Sequence, residues 1–474
     1  MNRVYYHTTA LCPECKAKIP ADVINRDSEE GVYLEKVCPR HGLSRVLISS
    51  DVKWYEDSVH YVKPGQEPLK LNVEIFKGCP DSCGLCSQHR QHTCLPVIEI
   101  TNQCQLNCPI CLKNDTQPYS LTVREFSGII DNLLATEGKM DVINISGGEP
   151  TLHPRLEAMI DIALAKGVSQ VSVSTNGLRL LADKKIRDIF KRTETIVALQ
   201  FDGFSPAIYA SLRGTDLSKQ KMALIEILEA EGIHYSLVAT AARGINDAEI
   251  PHIADFFFQS KALSLMFQPI TFSGNAEGLD AKNLRLTIPC IVHQLERSPY
   301  IKKGDFNPVP CSHYSCFAIS FYLQLEGNEY TNLKSFLGEE NCIAICTNKA
   351  LPGLDSEGFS IIRDRIYQMW SAADSSNLDE RILARIKNIL RSIDTGHLSS
   401  RQKLALGAEH MKAIFIHHFM DMHTMDLERL VKCCNPYPRT GDRLIPMCAE
   451  NVFFASGGQK PFREKVSGLP KAFG

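Results

Sequence analysis

The chain has 474 residues, 44% hydrophobic and 22% charged, the make-up of a globular protein long enough for about three domains. Its 52 Lys and Arg against 54 Asp and Glu leave a formal charge of −2, so no polyanionic partner and no nucleic acid is expected. No apolar run reaches the ~18 residues of a membrane span, and no cationic stretch leads into an apolar core at the N-terminus. A cytoplasmic location is expected, with peripheral membrane contact left open.

Eighteen cysteines stand in tight groups, which in a chain without an export signal read as metal ligands more readily than as disulfides. Residues 1–95 carry two of these groups and are expected to form a metal-stapled module. CPECKAKIPADV…VCPRHG supplies Cys12, Cys15, Cys38 and His41, a set suited to a tetrahedral iron or zinc ion. A structural zinc and a redox iron are both open. GCPDSCGLCSQHRQHTC supplies Cys79, Cys83, Cys86 and Cys94, enough thiolates for one complete [4Fe–4S] cluster, with zinc as the alternative.

Residues 96–275 alternate strand and helix signals. Short apolar runs ending in polar or glycine residues predict six strands: VIEITN, VINIS, VSVSTNG, TIVALQFDG, HYSLVATAARG and LSLMFQPITFSG. FSGIIDNLLATEG, PRLEAMIDIALAKG and QKMALIEILEAEG repeat apolar residues at helical spacing between them. That alternation predicts an α/β domain of parallel strands with right-handed crossovers, whose working residues sit where strands end.

The residues at those ends are chemically pointed. Cys104, Cys108 and Cys111 follow the first strand. Three thiolates on a four-iron cluster leave one iron open to chelate the amino and carboxylate groups of a ligand. A zinc knuckle, or an electron-transfer cluster with a remote fourth cysteine, would use the same spacing. Ser146-Gly147-Gly148-Glu149-Pro150, Ser174-Thr175-Asn176-Gly177 and Gln200-Phe201-Asp202-Gly203 end the next strands, and Arg213 follows. The glycines permit close backbone approach, and the hydroxyl and amide groups suit a ribose.

Residues 276–474 are expected to be loop-rich, with helical stretches near 378–394 and 405–432. Cys311, Cys316, Cys433, Cys434 and Cys448 exceed one cluster's needs, and adjacent Cys433 and Cys434 are poorly placed to share a metal. Cys342 and Cys346 have no obvious partner, and Cys290 reads as a buried thiol. Phe256, Phe257 and Phe258 read as core, KKIRDIFKR as a solvated helix face, and the histidines of HHFMDMH as packing residues.

With these motifs in this order, residues 96–275 resemble the radical S-adenosylmethionine (SAM) superfamily. The resemblance implies a partial (β/α)6 barrel in which Cys104, Cys108 and Cys111 hold a [4Fe–4S] cluster that binds SAM. Gly147, Gly148 and Glu149 would line the methionine amino group. Ser174 and Asn176 would approach the ribose, with Asp202 and Arg213 completing the cofactor site. SAM would be cleaved reductively to a 5′-deoxyadenosyl radical that removes hydrogen from an unactivated C–H bond. The remaining motifs, CPEC…CPRHG, GCPDSCGLCSQH, PVPCSHYSC and HHFMDMHTMDLERLVKCC…IPMC, look like the subfamily of archaeal dihydropterin methyltransferases and tetraether lipid synthases. That group implies three [4Fe–4S] clusters, a mononuclear iron or zinc, and an electron donor such as ferredoxin or flavodoxin. It also implies carbon–carbon bond formation on a small molecule such as a reduced pterin, or between lipid chains. A non-catalytic iron–sulfur protein or a zinc-stapled binding module would account for the cysteines but not for the three strand-end motifs.

Overall fold

The computed structural model describes residues 3–26, 29–75, 78–80, 83–113, 118–325, 327–348, 361, 364, 385 and 410–454. The N-terminal strands β1 (Arg3–Leu11), β2 (Lys18–Asn25), β3 (Val32–Cys38) and β4 (Gly42–Ser49) form one antiparallel sheet in chain order. In β3, the alternation Val32, Leu34, Lys36, Cys38 points inward. Helix α1 (Val52–Val59) lends Tyr55 to a small core with Ala10, Val23, Val32, Leu34 and Ile48, so the module does not depend on metal alone. Buried Lys36 is the exception to the apolar rule, and its ammonium donates to the carbonyls of Met422 (3.4 Å) and His423 (2.8 Å). That contact ties the module to the far end of the chain.

The six expected strands are present: β5 (Val97–Thr101), β6 (Val142–Gly147), β7 (Gln170–Thr175), β8 (Ile196–Gln200), β9 (Tyr235–Ala241) and β10 (Ser264–Pro269). They pair in parallel, in chain order. Helices α2 (Val123–Glu137), α3 (Leu156–Ala165), α4 (Leu178–Ala182), α5 (Lys184–Thr193), α6 (Pro206–Arg213), α7 (Ser218–Glu231) and α8 (Ile250–Gln259) lie between the strands in sequence. In α2 a capping box joins Thr122 and Glu125, Gly138 ends the helix, and Phe126, Ile129, Ile130 and Leu133 form its buried face. Truncating one of these to alanine would cost about 2–5 kcal/mol. Period two sets what each strand offers: in β9, Tyr235, Leu237, Ala239 and Ala241 are buried, while Ser236, Val238 and Thr240 line the interior cavity.

The sheet continues past residue 275. β11 (Asn307–Pro308) and β13 (Tyr330–Asn332) pair with β12 (Phe317–Gln324), which runs antiparallel to β14 (Met411–His417). β14 lies parallel to β10. The helix expected over 405–432 is therefore corrected: residues 411–417 are a strand with Ile414 and Ile416 buried, and among the described residues of that stretch only Leu427–Leu430 forms a short helical turn. A short apolar run fits either element, and here pairing with β10 and β12 decides. The helix expected over 378–394 lies outside the described residues. At the opposite edge, a hairpin of β15 (Pro436–Pro438) and β16 (Leu444–Pro446) packs on β5. Among the described residues, no helix is long and apolar enough to cross a membrane.

Candidate active site and metal centres

The curved sheet encloses a cavity of about 1550 Å³. That exceeds the roughly 300–1,000 Å³ of ordinary small-molecule sites. The Cys104, Cys108 and Cys111 loop lies at one end, directly after β5. Asn275 clamps it, donating its side-chain amide to Cys108 O (3.0 Å) and its main-chain N–H to Cys111 O (2.9 Å). Gly274 makes this approach possible: at φ +62°, a Cβ there would sit 2.5–2.6 Å from the backbone of Cys111 and Leu112. Burial pushes Cys104 up to about 11 and raises Cys111, so these thiols keep their protons until a cation replaces them.

Gly147 and Gly148 line the cavity beside this loop. A Cβ on Gly147 would lie 2.1 Å from Thr101 O, and one on Gly148 2.4 Å from Gln103 O. Glycine is thus needed to seat the β6 end against the β5 exit. The Glu149 side chain takes a different place from the one expected. It is fully buried, accepting from the hydroxyls of Thr151 (2.6 Å) and Thr175 (2.7 Å) and from Asn176 N–H (2.8 Å). Its carboxylate braces the β6 and β7 ends rather than facing the cavity.

Asn176 does face inward, with Nδ2 3.9 Å from Cys104 Sγ and Oδ1 accepting from Gln105 (3.1 Å). Ser174 lines the wall, but its hydroxyl donates to Asn144 Oδ1 (2.9 Å), and Asn144 donates to Ser172 Oγ (3.1 Å). Asp202 also turns away from the cavity. It is buried outside the cavity, where it accepts a fork from Arg213 (2.7 and 2.8 Å), Thr240 N–H (2.9 Å) and Gln200. Arg213 itself lines the cavity, beside Cys108.

Sequence reasoning missed Lys221. It is 1% exposed, and its ammonium donates to Asn176 O (2.6 Å) and Gln200 Oε1 (2.7 Å). Burial pushes it down to about 7. The available signal was its position: residues 221, 224, 225 and 228 are the buried stripe of α7.

Beside the Cys104 loop, the wall is charged. Arg439 donates to Glu99 (2.6 Å) and Glu450 (2.5 Å), and Lys113 lies 3.1 Å from Glu99. Although burial alone would raise Glu99, Lys113 and Arg439 hold it down at about 2. His417 lies on the same cavity, its ring centre stacked 3.8 Å from Phe317 and tilted against Phe419 at 4.0 Å, the packing role its sequence context suggests.

The other cysteines sort by geometry. His41 Nδ1 is 3.4 Å from Cys12 Sγ and 3.5 Å from Cys38 Sγ, and Cys15 lies 3.8 Å from Cys38. All four ligand atoms fall within 4.8 Å of one another. The main-chain N–H of Arg40 is the first cause that holds Cys38 down at about 6.

Cys94 departs from the expected Cys79–Cys94 set. The main-chain N–H groups of Cys94 and Leu95 donate to Cys434 O (2.9 and 3.2 Å), and Cys94 is buried with Cys311 and Cys434. Cys83 keeps Cys79 and Cys86 as neighbours. Adjacent Cys433 and Cys434 diverge, Cys433 facing Cys448 and Cys316. Cys346 joins the cavity near Cys311. Cys290 is half-buried and donates to Ser50 Oγ (3.1 Å).

Two family models match this sequence: the radical SAM superfamily over residues 98–257, and an HMPTM N-terminal zinc ribbon domain over residues 4–50. A 7,8-dihydro-6-hydroxymethylpterin dimethyltransferase of Methanocaldococcus jannaschii is 27% identical over 485 residues, covering 96% of this chain and 95% of that one. A GTP 3′,8-cyclase of Chlorobaculum tepidum is 35% identical over 158 residues, 32% of this chain and 47% of that one. The solved structure of Streptococcus suis SuiB bound to precursor peptide SuiA shares 15% identity at a TM-score of 0.36, over 41% of this chain and 43% of that one.

Proposed function

We propose that this chain, which is a radical SAM enzyme with an N-terminal zinc ribbon, adds a one-carbon group to an unactivated carbon of a reduced pterin. The observation that supports the substrate class is the polar part of the cavity lining next to the Cys104 loop. Glu99, Lys113, Arg439 and Glu450 on one side, with Asn144, Ser172 and Ser174 on the other, suit a heterocycle rich in N–H donors and ring acceptors. Apolar residues line much of the same cavity, among them Ile110, Val142, Met266, Phe317 and Phe415, and lipid-chain coupling is the second reading that this lining favours. The relative named as a pterin dimethyltransferase, similar along nearly its whole length, supports the same reading.

The donor sets fit the groups that this reading requires. Cys104, Cys108 and Cys111 offer three thiols on one loop, clamped by Asn275, with Arg213 as a neighbouring cation for a ligand carboxylate. A [4Fe–4S] cluster held by these three thiols would supply the electron for reductive cleavage of SAM. The chain's own residues do the rest. The backbone of Gly147 and Gly148 borders the ligand amino group, and Asn176 reaches the ribose. Asp202 fixes the Arg213 guanidinium, and Glu149 and Lys221 hold Asn176 in register from behind.

Cys12, Cys15, Cys38 and His41 take a single zinc or iron ion. Their 3.4–3.8 Å separations match the roughly 3.5–3.8 Å set by tetrahedral bonds of ~2.3 Å to sulfur and ~2.0 Å to nitrogen. The groups of Cys79, Cys83 and Cys86, of Cys94, Cys311 and Cys434, and of Cys316, Cys433 and Cys448 offer thiols for further iron–sulfur centres, and a small electron carrier of the ferredoxin or flavodoxin type supplies the reductant.

The test is anaerobic reconstitution, then SAM, dithionite and a reduced pterin, with 5′-deoxyadenosine and pterin products followed by mass spectrometry. The expected result is 5′-deoxyadenosine that depends on Cys108, with a pterin product heavier by a one-carbon unit. Nucleoside formation with coupled lipid chains, and no altered pterin, would overturn the substrate class.

A further inference from the structure

We infer that the metal held by Cys12, Cys15, Cys38 and His41 locks the C-terminal segment 420–430 in place, with Lys36 and Asp426 as the two fasteners. This rests on the reading of those four residues as a metal site, and goes beyond it by coupling that site to a remote part of the chain. The link starts beside the ligands themselves. Leu11, the residue before Cys12, is fully buried in one apolar cluster with Phe419, Met420, Met422, Met425 and Leu430. Ala10 pairs with Asp426 in an antiparallel bridge. Two residues before Cys38, the Lys36 ammonium donates to His423 O (2.8 Å) and Met422 O (3.4 Å).

Asp426 makes the tighter joint. It is 2% exposed, and its carboxylate accepts from the hydroxyls of Tyr6 (2.7 Å) and Thr8 (2.6 Å) on β1 and from Glu428 N–H (2.9 Å). A shift of β1 would leave this buried anion short of donors, a heavy penalty for a charged group. Order passes onward from it. Asp426 caps the turn Leu427–Leu430, in which Arg429 donates to Ser315 O (3.0 Å), His418 O (3.2 Å) and Cys316 Sγ (3.5 Å).

The metal's part shows in where the apolar packing stops. Ala10, Val23, Val32, Leu34 and Ile48 form the core of the N-terminal sheet. Beside the ligands, among the described residues, Ile19 alone joins Cys12 and Cys38 in their buried cluster. An ion bonded to Cys12 and Cys38 therefore fixes the ends of β1 and β3 where they meet the segment. Register matters there, because a slip of one residue would turn Lys36 to the other face of the sheet.

The experiment compares the full chain with Cys15→Ala, which removes a ligand but none of the contacts to the segment. Zinc and iron are counted by mass spectrometry, and main-chain amide exchange is followed peptide by peptide. The variant should lack one metal ion and exchange about 10-fold faster across residues 419–430, with β7 and β8 unchanged. Coupling is reciprocal, so Lys36→Met and Asp426→Asn should each weaken zinc binding by a similar factor, measured against a chromophoric chelator. Unchanged exchange in the metal-depleted protein, or unchanged zinc affinity in both variants, would overturn the inference. Equal metal content in the parent and Cys15→Ala would instead sink the reading of the four residues as a metal site, and the inference with it. If Cys15→Ala also loosens β7 and β8, the parent decides. Stripping and restoring its zinc must then lower and restore protection at 419–430, and a segment indifferent to the metal overturns the lock.

Discussion

Lys221 sets its ammonium 2.6 Å from the main-chain carbonyl of Asn176, at the base of the strand-end loop that carries the ribose-facing amide. The same ammonium holds Gln200, which donates to Asp202, and Asp202 receives the fork of Arg213. One buried lysine thereby joins the two sides of the proposed SAM site. The link is structural and continuous, from Asn176 on β7's exit to Arg213 beside Cys108.

Lys221→Met should therefore weaken SAM binding without removing the cluster ligands. Leaving the Asn176 carbonyl and Gln200 unpaired costs about 1–3 kcal/mol, or roughly 5- to 150-fold in affinity if the loop shifts to compensate. Calorimetric titration of SAM into the reconstituted protein measures this directly. Iron content unchanged with affinity reduced is the expected pair of results; unchanged affinity would show that the loop is held by Glu149 alone.

Gly274→Ala should act on the other side of the site. A methyl group there would meet the carbonyls of Cys111 and Leu112 at 2.5–2.6 Å, and φ +62° already disfavours any side chain. The cost is about 1–3 kcal/mol, borne by the Cys104–Cys111 loop. Iron incorporation at that loop should fall while the Cys12 site keeps its metal. Metal analysis together with the yield of 5′-deoxyadenosine distinguishes this from general unfolding.

Much of the barrel was legible because each parallel strand is a short apolar run closed by polar or glycine residues, a pattern β5 to β10 share. What was hidden depended on direction or on distance in sequence. Glu149 and Asp202 sit in the right motifs, yet both carboxylates turn into the protein, and residue type alone does not reveal which side of a strand end is wet. Cys94 follows Cys86 closely in sequence, but its backbone pairs with Cys434, some 340 positions on by numbering. β14 was read as helix because its seven residues, MKAIFIH, are too few for either period to assert itself.

Glu99→Gln should separate SAM cleavage from substrate chemistry. The residue lies on the charged wall, bound to Lys113 and Arg439. Neutralising it leaves Arg439 with Glu450 and frees Lys113. The expected outcome is 5′-deoxyadenosine formation retained within a few-fold, with the altered pterin reduced by about 10-fold or more. Equal loss of both products would place Glu99 in the cofactor site instead.

Lys412 gives a pH-dependent signature remote from every proposed metal ligand. Its buried ammonium donates to the carbonyls of Phe257 (2.9 Å), Ser260 (2.8 Å) and Ala262 (2.9 Å) at the C-terminal end of α8. Burial pushes its pKa down from the usual 10.5 to about 7. Between those values the native protein has released a proton that the unfolded chain still binds, so stability rises with pH across the window. The limiting slope for one such group is about 1.4 kcal/mol per pH unit. Denaturant unfolding at a series of pH values from 7 to 9 should show this rise in the parent, and Lys412→Met should flatten it. The variant also loses three bonds to helix-end carbonyls, so a lower stability at pH 7 alone would not distinguish the two effects. The slope does: a Lys412→Met protein with an undiminished rise would mean that the ammonium titrates near its ordinary value and that its carbonyl partners fully offset its burial.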